Sequence, residues 1–281
     1  MMQKRVLSIQ DISCYGRCSQ TIALPVLSAA GVECAILPTA LLSTHTGGYA
    51  GFTKLNLTDE MRKILAHWRQ LGLQFDAIYS GYLCSNEQMG IISEAIEWLL
   101  APNGLVLVDP VMGDGGKLYT GFDDDFVRSM RNFAKQANII TPNITEATFL
   151  ADITIEENYS MEFVRNLAIK LHQMTCKAVI ITGVVLDGKI GVYGITADGK
   201  ELCKMGTHQN AHIPGTGDAF ASAMLSGIMQ DLCTQEAAYR AMDFVHSATS
   251  NTTGRTDSSI LKNTLSLHFE SSLHIMMGES R

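Results

Sequence analysis

The sequence predicts an α/β protein built on a mostly parallel, doubly wound sheet. Short apolar segments of strand length alternate with longer helical segments along most of the chain, which is typical of parallel β-α-β units. Polar or glycine-rich loops follow the predicted strands, where ligands bind in such sheets. The 281 residues are 46% hydrophobic and contain no segment that resembles a linker, so we expect residues 1–281 to form a single domain.

The first half of the chain begins with a short apolar run, RVLSIQ, at residues 5–10. The polar segment 11–19 that follows is predicted as a loop. Helices are indicated where apolar residues recur at helical spacing, and Gly31 and Gly72 end the first two of them. The predicted strands here are residues 5–10, 32–37, 77–79 and 105–108. The predicted helices are residues 21–30, 59–71 and 86–100.

The second half adds an antiparallel hairpin to the same pattern. Asp198 and Gly199 form a turn signal between two short apolar runs, which predicts paired strands on either side. The predicted strands are residues 138–140, 178–182, 190–195 and 201–205. The predicted helices are residues 122–136, 145–151, 161–174, 217–229, 235–250 and 258–269.

Charge and cysteine content exclude several classes of protein. The net charge of −7 argues against a nucleic acid or an anionic membrane as a partner. No stretch approaches the ~20 apolar residues of a membrane-spanning helix, and the apolar run within residues 1–11 is too short for a signal peptide. The seven cysteines are odd in number and form no CxxC pair, which argues against disulfides and zinc. We therefore expect a cytoplasmic protein.

A glycine-rich turn leads into the helix predicted at 217–229. Gly215 and Gly217 lack side chains, so an anion can approach the backbone N–H groups at the positive end of that helix. Asp218 lies at the same point. A carboxylate beside an anion-binding turn suits a general base, which takes a proton while the turn holds the developing charge. The alternative is an ordinary helix start that Asp218 caps.

Two further segments carry acidic side chains directly after predicted strands. Asp109 and Asp114, in a loop with three glycines, suit a position beside a cationic or metal-bearing ligand; the alternative is a glycine-rich turn with surface acids. Asn143 and Glu146 are three residues apart, so they share one face of a helix. Sparse oxygen ligands of this kind suit Mg²⁺ completed by substrate phosphates, and the alternative is a capping box.

Two ring side chains also follow strands. His45 lies in a loop rich in hydroxyl groups and glycine, and could contact a ligand or be structural. Tyr82 follows Ser80 and Gly81 and could stack on an aromatic ligand or pack in the core. The chain has no GxxxxGK[ST] motif, and no GxGxxG follows the first strand, so neither a P-loop nor the usual dinucleotide fold is expected.

Together these motifs resemble the ribokinase-like superfamily, and within it the vitamin B6 kinase branch. The GTGD motif at 215–218 marks the superfamily, and SGY at 80–82 with HT at 45–46 points to the branch. The motifs DPVxGD at 109–114 and TPNxxE at 141–146 are also shared. The resemblance covers nearly the whole chain in the same motif order.

The resemblance implies an αβα sandwich without a separate lid domain and ATP-dependent phosphorylation of the 5′-hydroxymethyl group of pyridoxal, pyridoxamine or pyridoxine. It also implies Mg²⁺, in many members K⁺, and a homodimer. Asp218 would be the base, and the anion hole would be Gly215, Thr216 and Gly217. The substrate-binding residues would be Asp11, His45, Thr46, Tyr82 and Asp218. ATP would contact Asp109, Asp114, Thr141, Asn143, Glu146, Thr182 and Gly217. The metal region would be Asp109, Tyr119 and Glu146, and residues 204–209 would lie near the adenine.

Asp11 departs from the family pattern, in which many members have serine facing the 3-hydroxyl of the ring. An ionised carboxylate accepts hydrogen bonds but cannot donate them, so we expect Asp11 to favour pyridoxamine, whose ammonium pyridoxal lacks. The alternative is that Asp11 caps a turn through backbone N–H groups. Two other functions remain open: a hydroxymethylpyrimidine kinase of the same superfamily, and a catalytically silent nucleotide sensor.

Overall fold

The computed structural model describes residues 3–47, 49–156, 158–174, 178–208, 213–253 and 266–278. The chain divides into two compact units, the first comprising Met1–Met61 with Gln209–Arg281 and the second Arg62–His208. Within the described ranges, no helix is both long and apolar enough to cross a membrane.

Strands and helices alternate along both units. The strands are β1 (Arg5–Ser13), β2 (Glu33–Leu42), β3 (Lys54–Asn56), β4 (Phe75–Ser80), β5 (Leu100–Val108), β6 (Gly113–Asp114), β7 (Lys117–Leu118), β8 (Ile139–Ile140), β9 (Ala178–Leu186), β10 (Lys189–Ile195) and β11 (Glu201–Thr207). The helices are α1 (Gln20–Ala29), α2 (Thr58–Leu71), α3 (Asn86–Leu99), α4 (Asp124–Phe133), α5 (Ile144–Ala151), α6 (Met161–Met174), α7 (Thr216–Met229) and α8 (Thr234–Thr253). Short 3-10 turns cover Ala134–Gln136 and Glu270–Ile275.

In the first unit, β1 pairs in parallel with β2, and β2 pairs antiparallel with the short β3. Helix α7 packs against α1 and α8. Ten of the 14 residues of α7 are buried, and most of these ten are small, so neighbouring helices can approach closely. A Cβ atom on Gly227 would lie 3.1 Å from the Cα of Ala237 in α8, which shows how tight this helix contact is. The first turn of α7 is therefore held on a rigid support.

In the second unit, the strand order is β11-β10-β9-β8-β5-β4. Strands β4, β5, β8 and β9 are parallel, and β10 and β11 extend them antiparallel. The ends of β5 and β8 are in register, since Val108 pairs with Ile140. The loops that follow these strands therefore leave the sheet side by side. Strands β6 and β7 form a separate two-stranded hairpin.

The predicted α/β class is confirmed, and most differences lie at the ends of strands. Strand β1 continues to Ser13, so the loop assignment of Asp11 is wrong: residues 12 and 13 still pair with Leu41 and Leu42 of β2. Strands β3, β6 and β7 were not predicted, because two or three residues are too few to show periodicity. Of the helix predicted at 258–269, residues 258–265 lie outside the described part, and residues 266–269 are not helical.

Candidate active site

The first turn of α7 begins at a glycine that no other residue could replace without strain. Gly215 is the N-cap, with φ +89° and ψ −2°. A Cβ atom there would lie 2.3 Å from the carbonyl oxygen of Arg17 and 2.7 Å from Cδ1 of Ile22. No side chain caps the helix, so the capping role considered for Asp218 is wrong: Asp218 is the third helical residue. The uncapped N–H groups of this turn suit an anion.

Asp218, which belongs to the first unit, is half-buried. Its carboxyl accepts one hydrogen bond from the backbone. The Ser19 N–H donates to Oδ2 of Asp218 over 2.9 Å. Burial raises the pKa of Asp218 to about 7, and the charge of Asp11 adds to this, while the Ser19 bond opposes it. A carboxyl with a pKa near neutrality can both accept and release a proton under ordinary conditions.

Asp11 is buried at 3% exposure, at an irregularity of β1 where the register with β2 shifts. The Ser13 hydroxyl donates to its Oδ2 over 2.9 Å, and the Ser19 hydroxyl to its Oδ1 over 2.5 Å. Burial raises the pKa of Asp11, and these hydroxyls and Lys54 oppose the rise. Besides the backbone N–H of Asp11 itself, the donors are thus two side-chain hydroxyls, one of them eight residues away, which differs from the purely backbone turn cap considered from the sequence. A contact between Asp11 and a vitamer stays a prediction.

His45 is buried against two neighbours in the same unit. Its ring lies 4.9 Å from that of Tyr49, nearly perpendicular, and a Cβ atom on Gly16 would lie 2.1 Å from its Cδ2. Burial lowers the pKa of His45, which favours the neutral imidazole. Neither ring nitrogen has a hydrogen-bond partner among the described residues, so both can serve a ligand. Thr46 is exposed beside it. Sequence reasoning did not single out Tyr49 as a neighbour of His45.

In the second unit, the residues that follow β4, β5 and β8 lie together. The N–H of Asp109 donates to the Ser80 carbonyl over 2.8 Å, and the N–H of Thr141 donates to the Val108 carbonyl over 3.1 Å. The N–H of Thr182 donates to the Pro142 carbonyl over 2.8 Å. Asp109 and Thr141 are 5% and 3% exposed. The structure thus places Asp109 and Thr141 directly after neighbouring strands, as the sequence predicted. Thr182 is bonded to the segment after β8 but lies within β9, which continues to Leu186 beyond the predicted strand end.

Asn143 and Glu146 form the capping box considered from the sequence. The Asn143 side chain accepts from the Glu146 N–H, and Oε2 of Glu146 accepts from the Asn143 N–H, each over 2.9 Å. The same two side chains hold the β6–β7 hairpin: Asn143 Nδ2 donates to the Gly113 carbonyl, and Oε1 of Glu146 accepts from the Met112 N–H. Burial and the charge of Asp114 raise the pKa of Glu146 to about 8.

The remaining predicted residues of this unit are more exposed. Asp114 lies in the hairpin, where its Oδ1 accepts from the Gly115 N–H over 2.8 Å. The side chain of Tyr119 is 41% exposed. Tyr82 is only half-buried, with its ring 5.8 Å from that of Phe122, so it is not the packed core tyrosine considered as an alternative. Residue 209, in the segment placed near the adenine, lies outside the described ranges.

Replacing Asp218 with asparagine should change the pH dependence of stability. A carboxyl whose folded pKa of about 7 exceeds its ordinary 3.8 holds its proton more tightly in the folded protein, so stability falls as pH rises between these values. Asp218→Asn removes this loss. Its stability relative to wild type should rise by about 2 kcal/mol from pH 5 to pH 8, at about 1.4 kcal/mol per pKa unit and less for a partly exposed group.

Thermal unfolding at both pH values measures the effect. Asp198→Asn is the control, because Lys200 and Thr196 lower the pKa of that exposed carboxyl to about 2, which gives no loss of stability in this range. A difference between wild type and Asp218→Asn that does not change with pH would contradict the assignment of a raised pKa.

The sequence profile of the phosphomethylpyrimidine kinase family matches residues 23–260. The chain belongs to this family. A phosphomethylpyrimidine kinase structure from Bacteroides thetaiotaomicron is 37% identical, with a TM-score of 0.92 over 98% of this chain and 94% of that one. A second crystal form of that protein is described as containing pyridoxal, with a TM-score of 0.91 over 98% and 96% of the two chains.

The relatives of this chain are named after two different substrates, pyridoxal and hydroxymethylpyrimidine. Pyridoxal kinase from Lactobacillus plantarum is 30% identical, with a TM-score of 0.87 over 97% of this chain and 96% of that one. The hydroxymethylpyrimidine/phosphomethylpyrimidine kinase of Aquifex aeolicus is 30% identical over 61% of this chain and 66% of its own length. The predicted resemblance to ribokinase-like pyridoxal kinases is confirmed, and the chain is a kinase by family.

Proposed function

We propose that the chain transfers the γ-phosphoryl group of ATP to the 5′-hydroxymethyl group of pyridoxal, pyridoxamine or pyridoxine. The observation that carries the proposal is Asp218, a carboxyl with a pKa of about 7 in the first turn of a glycine-capped helix. The 37% identical relative crystallised with pyridoxal supports a B6 vitamer as the acceptor. The Ser80-Gly81-Tyr82 and His45-Thr46 motifs support the same branch.

In the proposed reaction, Asp218 takes the proton of the 5′-hydroxyl. The oxygen forms a bond to the γ-phosphorus, and the bond from that phosphorus to the bridging oxygen of ADP breaks. The backbone N–H groups of Gly215, Thr216 and Gly217 bind the phosphoryl oxygens as charge develops on them. The Thr216 hydroxyl donates to the Ile213 carbonyl over 3.2 Å, so its side chain does not compete with the phosphoryl oxygens for the backbone N–H groups.

The proposed vitamer contacts follow from the chemistry of the pyridine ring. Neutral His45 has two buried ring nitrogens without partners among the described residues, so one can donate to the ring substituents and the other can accept. Tyr82 is half-buried and presents an aromatic ring suited to stacking. Thr46, being exposed, can supply a hydroxyl group.

Asp109, Asp114, Thr141, Asn143, Glu146 and Thr182 are proposed to contact the nucleotide, and Asp109, Tyr119 and Glu146 to lie in the metal region. Among the described residues no three acidic, His or Cys side chains could hold a metal together. Mg²⁺ on phosphates needs only one or two carboxylates, and a cation would stabilise the charged form of buried Glu146, so these residues fit it. Bound Mg²⁺ would neutralise charge on the phosphates. K⁺ and the homodimer stay predictions.

Steady-state kinetics on a panel of acceptors tests the function. With ATP and Mg²⁺, we expect higher kcat/KM for the three B6 vitamers than for hydroxymethylpyrimidine. The opposite ranking would assign the chain to the pyrimidine substrate that its family description and the Aquifex relative carry. ATP binding without turnover of any acceptor would indicate a nucleotide sensor, against which the intact Asp218 argues.

A further inference from the structure

Ser19 has a backbone conformation that serine rarely adopts. It is the N-cap of α1, with φ +51° and ψ −125°. Backbone in such a sparsely populated region is strained and persists only where surrounding contacts enforce it. A serine at this position normally accepts a hydrogen bond from the helix through its hydroxyl, but Ser19 makes no such bond. Its conformation therefore serves something other than capping α1.

Both hydrogen-bond donors of Ser19 are directed to acidic side chains. Its hydroxyl donates to Oδ1 of Asp11 over 2.5 Å, and its N–H donates to Oδ2 of Asp218 over 2.9 Å. Ser13 donates to the second oxygen of Asp11 over 2.9 Å, which fixes that carboxyl from the other side. Asp11 and Ser19 are 3% and 5% exposed, so solvent does not compete for these bonds.

We propose that Asp11 and Ser19 are positioning residues for Asp218, rather than contacts to the vitamer. Asp11 accepts the hydrogen bond from the Ser19 hydroxyl, and we call this bond the tether. The tether keeps the Ser19 backbone in its strained conformation. In that conformation the Ser19 N–H fixes Oδ2 of Asp218. Among the described residues only Oδ2 receives a hydrogen bond, which leaves Oδ1 available to the 5′-hydroxyl. The inference rests on the proposed function, in which Asp218 is the base.

The same contacts also shift the pKa of Asp218. The N–H of Ser19 lowers the pKa of Asp218, and the charge of Asp11 raises it. Cys18 also faces both acids, but burial and their charges raise the pKa of its thiol, which keeps it neutral. Lys54 acts on Asp11. Loss of the Ser19 bond should therefore move the Asp218 pKa up, and loss of the Asp11 charge should move it down.

Variants of the full chain separate the tether from the backbone conformation. Ser19→Ala removes the hydroxyl but keeps the conformational cost, so the N–H should move away from Asp218. We expect kcat to fall about 10- to 100-fold, the range for loss of a hydrogen bond to a charged group, with a smaller change in KM for the vitamer. Ser19→Gly should retain more of kcat than Ser19→Ala, because glycine adopts positive φ without cost.

Asp11 offers a second pair of variants. Asp11→Ala removes the tether and should reduce kcat as Ser19→Ala does. Asp11→Asn keeps an oxygen for the Ser19 hydroxyl but removes the charge, so it should rescue kcat while shifting the acidic limb of the kcat/KM profile to lower pH. Ser8→Ala is the matched control: Ser8 is a buried serine of β1 whose hydroxyl accepts from Gln10, and kcat should be unchanged.

Three results would overturn the inference. Wild-type kcat and pH profile in Ser19→Ala and Asp11→Ala would exclude a positioning role. Equal loss in the Ala and Gly variants of Ser19 would exclude the tether. A change in the pyridoxamine-to-pyridoxal ratio in Asp11→Asn would assign Asp11 to the vitamer. Wild-type enzyme that phosphorylates no vitamer would instead refute the proposed function.

A readout without turnover keeps the inference testable in that case. The pKa of Asp218, measured from the pH dependence of stability against Asp218→Asn in each background, should rise in Ser19→Ala and fall in Asp11→Asn. An unchanged pKa in both backgrounds would overturn the positioning role independently of catalysis.

Discussion

Asp218→Asn is expected to lower kcat by about 10²–10⁴-fold, the usual contribution of a general base. Asparagine has nearly the same shape, and its amide oxygen can still accept from the Ser19 N–H, so the helix start should keep its geometry. The variant loses the carboxylate that is proposed to take the proton of the acceptor hydroxyl. The loss should therefore appear in kcat, measured with a saturating B6 vitamer and ATP.

Nucleotide binding should be nearly unchanged in the same variant, because most of the residues proposed to contact the nucleotide lie after β5 and β8 or, in the case of Thr182, within β9. Titration calorimetry with ATP measures this directly. Asp198→Asn provides a control for removal of an acidic group from the chain, since Asp198 lies in the β10–β11 turn and pairs with Lys200. A folded Asp218→Asn enzyme with near wild-type turnover would show that another group is the base.

Gly215→Ala is expected to reduce kcat by at least about 10²-fold, because a misplacement of about 1 Å in a catalytic geometry can cost that much. The added Cβ would lie 2.3 Å from the backbone oxygen of Arg17, and backbone cannot move aside as a flexible side chain can. The helix start must therefore shift, and with it both the proposed anion hole and Asp218. Stability should also fall.

Gly31→Ala separates the two effects. Gly31 also has positive φ, at +78°, but a Cβ atom there would meet nothing within 4 Å. Gly31→Ala therefore introduces the conformational strain of alanine at positive φ without a steric clash. It should lower the stability of the protein and leave kcat unchanged. Equal turnover in the two purified variants would mean that the position of the α7 start does not matter for the reaction.

Much of the second unit could be predicted because its signals are local. Asn143 and Glu146 lie in one helical turn, and the loops after β5 and β8 follow directly from strand ends that are in register. For this pair the sequence left two roles open, a metal site and a capping box, and the two roles are compatible. The capping box is present in the structure. The Glu146 carboxyl that completes it is the same carboxyl that is proposed to lie near the phosphates.

The network around Asp218 could not be predicted, because its contacts are distant along the chain. Ser19 and Asp218 are 199 residues apart, and no periodicity links them. Ser19 also carries a misleading local signal, since serine before a helix predicts a cap. Asp11 was assigned to a loop because the segment 11–19 is polar, although β1 continues to Ser13 with the side chains of Asp11 and Ser13 buried.

The hairpin of β6 and β7 shares its attachments with the first turn of α5. Asn143 and Glu146 bind Gly113 and Met112 while they cap the helix, and the Thr145 hydroxyl accepts from the Gly116 N–H over 2.9 Å. Lifting the hairpin would break these bonds and leave a buried carboxyl with fewer donors, so the two elements should open as one cooperative unit. The free energy of that opening would then set how often the proposed nucleotide contacts beside the hairpin are exposed to water, so local unfolding of a helix would limit how well a bound nucleotide is protected from hydrolysis.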